Sequence, residues 1–76
     1  MSDAAQLLTA LGGAPNVVSL QPCLTRLRVQ VADTDLVDDE ALKAAGALGV
    51  VRTGRIVQVV VGPVADGLAD EIDGMR

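Results

Sequence analysis

Seventy-six residues, half of them apolar, with no aromatic ring, no histidine, one cysteine and a net charge of −4 from 6 basic and 10 acidic side chains, set narrow limits. A chain this short makes one small domain over residues 1–76, with a core worth only a few kcal/mol. Without rings to stack bases, and with an acidic balance that repels phosphate backbones, no nucleic-acid partner is expected; one thiol without histidine builds neither an internal disulfide nor a four-ligand metal site.

No apolar stretch approaches the roughly 20 residues of a membrane-spanning helix. The first ten residues lack the basic leader of a secretory signal, and an unpaired cysteine suits a reducing cytoplasm. Along the chain, Ala4, Leu7, Leu8 and Leu11 fall on one face of a first helix, with Ser2 as N-cap and Gly12-Gly13 and Pro15 as the stop. Val17–Leu20 is a short β-prone run that Gln21-Pro22 breaks; Thr25–Val31 then alternates with period two, Leu27, Val29 and Val31 inward and Arg26, Arg28 and Gln30 outward. Cys23 is thereby expected in the tight connection ahead of the second strand. Asp33-Thr34-Asp35 closes the hairpin, and Asp38-Asp39-Glu40 places acids at the positive end of a short helix that stops at Gly46. A second hairpin, Leu48–Arg52 and Ile56–Val61, turns at Thr53-Gly54-Arg55, and Gly62-Pro63 opens a last helix carrying Val64, Ala65, Leu68 and Ile72 at helical spacing. The order αββαββα predicts an α+β open-faced sandwich: a four-stranded antiparallel sheet with three helices packed on one face.

The residues with chemistry cluster at the end of the first hairpin. Arg26 and Arg28 leave one strand face roughly 6–7 Å apart, a spacing at which two guanidinium forks can grip a tetrahedral oxyanion. Cys23 precedes them in a turn whose amides, with nearby positive charge, can favour the thiolate form. Pattern alone leaves a second description open, in which Cys23 is a small buried hydrophobe and the arginines belong to a solvated face. The Thr25 hydroxyl is placed to donate to a thiolate or a phosphoryl oxygen, although a β-branched residue in a strand needs no such role.

Gln21-Pro-Cys-Leu-Thr-Arg-Leu-Arg28 resembles the C-x-T-R-L-R signature of the enzyme IIB domains of the bacterial sugar phosphotransferase system, glucose and N-acetylglucosamine branch. The resemblance continues through Leu11-Gly12-Gly13 with Asn16, Val37-Asp38, Leu42-Lys43, Gly46-Ala47, Gly49-Val50, and Gly54, Gln58 and Gly62 at four-residue steps. It implies a relay without cofactor. Cys23 accepts a phosphoryl group from a phosphohistidine on enzyme IIA and passes it to a sugar, N-acetylglucosamine or glucose, held by membrane enzyme IIC; Arg26 and Arg28 support the transfer, above all the delivery step. It further implies a cytoplasmic monomer that meets the inner face of the membrane in passing. The missing histidine fits, since the donor supplies it.

The chain departs from the family pattern at Gln21, where an acidic residue is common, and at Pro22, which stiffens the turn and removes an amide donor. Activity is expected to survive both, because losing a carboxylate beside a thiol eases anion binding. The apolar patch of Pro22 and Leu24 is the expected docking surface. Two other classes of function compete: a thiol redox sensor, for which the chain holds no resolving cysteine, and an EIIB-like regulatory domain that docks without phosphorylation. Gln58 is read either as a site-side glutamine or as a polar residue of the exposed face. Arg52 and Arg55 either add positive field at the site or keep a hairpin end solvated.

Overall fold

The computed structural model describes residues 4–76; the Ser2 cap lies outside the described residues. Helix α1 (Ala4–Ala10) is followed by strands β1 (Val17–Cys23) and β2 (Arg26–Val31), helix α2 (Asp39–Ala44), strands β3 (Gly49–Thr53) and β4 (Ile56–Val60), and helix α3 (Ala65–Met75). The strands form one antiparallel sheet in the order β1-β2-β4-β3, so the two hairpins join through β2 and β4. Helix α3 packs on β1 and β2, α2 on β3, and α1 against both other helices. This is the expected α+β architecture.

Period-two alternation decides which face of the sheet the helices cover. Leu27, Val29 and Val31 of β2 and Val57 and Val59 of β4 are buried, joined by Leu7, Leu11, Leu42 and Ile72 from the helices. Each such aliphatic side chain contributes about 1.5–3 kcal/mol on burial, and with no aromatic residue available the core is built from these branched chains. Helix boundaries follow local chemistry. Asp38 caps α2 by accepting a hydrogen bond from the Ala41 amide (3.1 Å), and Gly46 at φ 112° lets the chain reverse after it.

One polar residue organises the helix side. Asn16 is buried; its Nδ2 donates to the carbonyls of Leu11 (2.7 Å) and Asp33 (2.9 Å), and its Oδ1 accepts from the Asp33 amide (2.8 Å). The end of α1 is thereby pinned to the segment leaving β2, with every polar atom of the side chain satisfied. Gly12, at φ 101°, lies against it: a Cβ there would come within 2.5 Å of Asn16 Nδ2. Neither the left-handed backbone nor the space admits another residue.

Two features differ from the expectation. Short 3₁₀ turns occupy Ala14–Asn16 and Thr34–Leu36, segments that read only as stops and hairpin ends. Strand β1 also does not break at Gln21-Pro22. It runs through Pro22, paired with Leu27, to Cys23, paired with Arg26. Proline is tolerated because β1 is an edge strand, where an amide facing away from the sheet has no ladder partner to lose.

Candidate active site

The sheet face turned away from the helices carries three in-register rows. Cys23, Arg26, Val60 and Gly49 form the first, at the end of the sheet where β1 turns into β2. Gln21, Arg28, Gln58 and Val51 form the second; Ser19, Gln30, Ile56 and Thr53 form the third. These rows hold two arginines and no carboxylate, within a chain whose net charge is −4. The described acids lie on the Asp33–Glu40 segment and on α3. The open face is therefore a positive island on an acidic protein.

Cys23 is exposed and free, which removes the buried-hydrophobe description. It is the last residue of β1, not part of the connection, and directly opposes Arg26 across the strand pair. Directly opposed residues bring their Cβ atoms to about 4.5–5.5 Å, so thiol and guanidinium begin from adjacent positions on one face. The connection itself is two residues, Leu24 and Thr25. Leu24 takes φ 57°, the left-handed value that the first position of a tight hairpin turn requires and that a leucine rarely adopts.

Thr25 acts through its backbone. Its carbonyl accepts hydrogen bonds from the amides of Val61 (2.9 Å) and Gly62 (3.0 Å), which ties the Cys23 turn to the segment leading into α3. Around the same end stand exposed apolar side chains: Leu24 is 90% exposed and Leu48 75%, and Val64, two residues after Gly62, is exposed as well. The Leu48 amide donates to the Val60 carbonyl (2.7 Å), and its side chain reaches toward Gly62. Of the two residues expected to form the apolar patch, Pro22 pairs with the inward Leu27 and so leaves the opposite face of β1 from Cys23; the exposed apolar rim at the thiol end joins Leu24 instead to Leu48, from a distant part of the chain.

The arginines separate by what they touch. Arg26 donates from Nη1 to Gln58 Oε1 (3.0 Å), a diagonal contact that holds the guanidinium over the open face. Gln58 therefore belongs to the site side, one of its two readings. Arg28 lines a hollow with Ser19, Gln21, Gln30 and Ile56, in the rows beyond Arg26. Arg52 lies elsewhere. It pairs with Val57, an inward position, and donates from Nε (2.9 Å) and Nη2 (2.6 Å) to Asp39 Oδ1, from Nη1 to the Thr34 carbonyl (3.0 Å) and from Nη2 to the Val37 carbonyl (2.7 Å). Those bonds strap the segment before α2 to β3, so Arg52 adds nothing to the site. Arg55 sits in the far hairpin turn, beyond the third row.

Thiol, opposed guanidinium, fixed turn and apolar rim together suit a nucleophile that accepts and releases an anionic group brought by a macromolecule. The model of the family described as phosphotransferase system, EIIB, matches residues 5–38. The N-acetylglucosamine-specific EIIB component of Streptomyces coelicolor is 49% identical over 74 residues, covering 97% of this chain and 96% of that protein. The maltose-specific EIICB component of Escherichia coli is also 49% identical, over 91% of this chain, which spans only 13% of that larger protein. Among solved structures, one domain of the PTS system IIabc component from Clostridium difficile superposes with a TM-score of 0.75 at 27% identity, covering 97% of this chain and 86% of that one. Matched along almost the full length of both partners in the Streptomyces pair, this chain belongs to the EIIB family of the phosphotransferase system, the transferase components of sugar transport.

Proposed function

We propose that Cys23 is the phosphoryl acceptor, charged by a phosphohistidine of enzyme IIA and discharged to a sugar bound by membrane enzyme IIC, with the 76 residues acting as one monomeric EIIB unit. The observation that carries this reading is the exposed Cys23 thiol at the end of β1, directly opposed by Arg26 on a face without carboxylates. In the first step the Cys23 sulfur attacks phosphorus, an S–P bond forms, the N–P bond to the donor imidazole breaks, and the imidazole leaves with the electron pair and takes up the proton that the thiol gives up. In the second, a sugar hydroxyl oxygen attacks, the O–P bond forms, the S–P bond breaks, and the hydroxyl proton passes to a base on the partner or to solvent.

The residues on the open face supply what such transfers need. Phosphoryl transfer rests on positioning and on stabilising charge over the equatorial oxygens, and a guanidinium fork held by Gln58 contributes both. Thr25 holds the turn, with its hydroxyl available to the transferred group. The rim of Leu24, Leu48 and Val64 gives the donor protein an apolar seat that excludes water during transfer. N-acetylglucosamine or glucose is the final acceptor on this reading, the sugars named for the Streptomyces coelicolor relative and for other relatives, beside others named for maltose and alpha-glucosides. The unit works in the cytoplasm and meets IIC at the inner face of the membrane.

The test is a reconstituted relay. Incubation with phosphoenolpyruvate, enzyme I, HPr and a glucose-family IIA is expected to add one phosphate to Cys23, read by mass spectrometry, and Cys23→Ser is expected to remain unlabelled. A phosphate on any other residue, or none with several such IIA proteins, overturns the proposal.

A further inference from the structure

Beside Arg28 lies a hollow whose other lining groups have no part in the relay. It measures about 230 Å³ and is lined by Ser19, Gln21, Arg28, Gln30 and Ile56. The register puts these residues on the second and third rows of the open face, beyond Arg26 as seen from Cys23. Gln21 directly opposes Arg28 on one side and Gln58 does so on the other, so the guanidinium stands between two neutral amides. Among the described residues, no carboxylate lines the hollow. An arginine fork presented between uncharged neighbours is a receptor for an oxyanion.

The hollow is also longer than an anion needs. The third row lies roughly 6–7 Å along the strands from the second, where it adds the Ser19 hydroxyl, the Gln30 carboxamide and the apolar side chain of Ile56. Hydrogen-bonding groups over an aliphatic floor suit a carbon skeleton that carries hydroxyls. We infer that this hollow binds a small phosphate monoester of a polyol, with the phosphate on Arg28 and the hydroxyl-bearing carbons along Ser19, Gln30 and Ile56.

The identity of the natural occupant rests on the phosphoryl-carrier reading: the sugar phosphate released by transfer is the monoester at hand. A dianion seated there lies one row from Cys23, so it and a phosphorylated thiol repel each other. Linkage makes the effect mutual, and accumulated product lowers the phosphate held on Cys23 by the factor with which phospho-Cys23 weakens product binding.

The binding itself is tested on the unphosphorylated protein, without the relay. Glucose 6-phosphate, glucose and inorganic phosphate are titrated separately into isotope-labelled protein and followed by amide and side-chain NMR shifts. Glucose 6-phosphate is expected to move signals of Ser19, Gln21, Arg28 and Gln30, with half-saturation on the order of millimolar, as suits a ligand of this size on an open site. Inorganic phosphate should bind the same place roughly threefold or more weakly, and glucose should be silent. Arg28→Gln should weaken glucose 6-phosphate by about tenfold, the loss of one charged bidentate contact. Gln30→Leu should weaken it by about threefold, leave inorganic phosphate unchanged, and leave Cys23 phosphorylation by IIA unchanged.

Three results overturn the inference: equal affinity for phosphate and the sugar phosphate, shifts confined to the Cys23–Arg26 row, or no shift at about 20 mM ligand. If the titration succeeds while Cys23 resists phosphorylation, the subsite stands and the relay reading falls.

Discussion

Replacing Leu24 separates the energetics of folding from those of recognition. Leu24 sits at φ 57° and is 90% exposed, so it pays for a left-handed backbone and recovers almost nothing by burial. That conformation costs a residue with a Cβ about 1–2 kcal/mol. Glycine removes the cost and adds about 0.5–1 kcal/mol of unfolded-chain entropy, which leaves Leu24→Gly more stable by roughly 0.5–1 kcal/mol. For a domain of this size that is a rise in Tm of about 2–8 °C. Urea denaturation followed by far-UV circular dichroism suits a chain without aromatic residues and reads the change directly. The same variant is expected to accept phosphate from IIA about tenfold more slowly, because the most exposed apolar group of the rim is gone. A fall in stability of 0.5 kcal/mol or more would refute the strain argument. An unchanged transfer rate would refute the docking argument.

Other substitutions probe the remaining parts. Arg26→Lys and Arg28→Lys keep the charge and lose the planar fork; delivery to sugar, assayed with IIC-bearing membranes, should drop by about tenfold or more while acceptance from IIA changes less. Equal losses in both half-reactions would contradict that division. Gln58→Leu frees the Arg26 guanidinium and is expected to slow transfer about three- to tenfold, with stability within 0.5 kcal/mol of the parent, since the bond is exposed. Arg52→Ala should do the reverse. It loses the bonds to Asp39, Thr34 and Val37, costs about 1–2 kcal/mol after allowance for the exposure of the ion pair, and leaves the rate of Cys23 phosphorylation intact.

The sequence pattern located the elements that have local causes. Alternation along Leu27, Val29 and Val31 marks a face, Asp38 marks a helix start, and Gly12 and Gly46 mark helix ends, because each of these signals lies within a few residues of its effect. Three site features depend on tertiary facts instead. Pro22 reads as a strand breaker until β1 is known to lie at the edge of the sheet, where the missing amide costs nothing. Arg52 reads as possible field at the site until the register of β3 against β4 turns its side chain to the opposite face. Gln58 becomes a partner of Arg26 only when β4 is inserted beside β2, which brings residues 32 apart in the chain into contact. Leu48 reads only as the first residue of a strand, which gives no hint that it lies just ahead of β3 and projects at the thiol end. The roles of Cys23, Thr25, Arg26 and Arg28 rest on the motif and on the proposed chemistry, to which the structure contributes exposure, register and partners.

The double acceptance by the Thr25 carbonyl has a consequence for where this protein tolerates change. Because the amides of Val61 and Gly62 both end on that oxygen, the thiol turn takes its position from the continuation of an interior strand and not from the outer strand that carries the cysteine. The irregular pairing between Val17 and Ser19 lies at the opposite end of that strand, away from the thiol. Gly62 is buried and at φ 84°. Engineers seeking to retune turnover therefore have a handle nearly forty positions downstream of the thiol, in a stretch with no reactive side chain of its own.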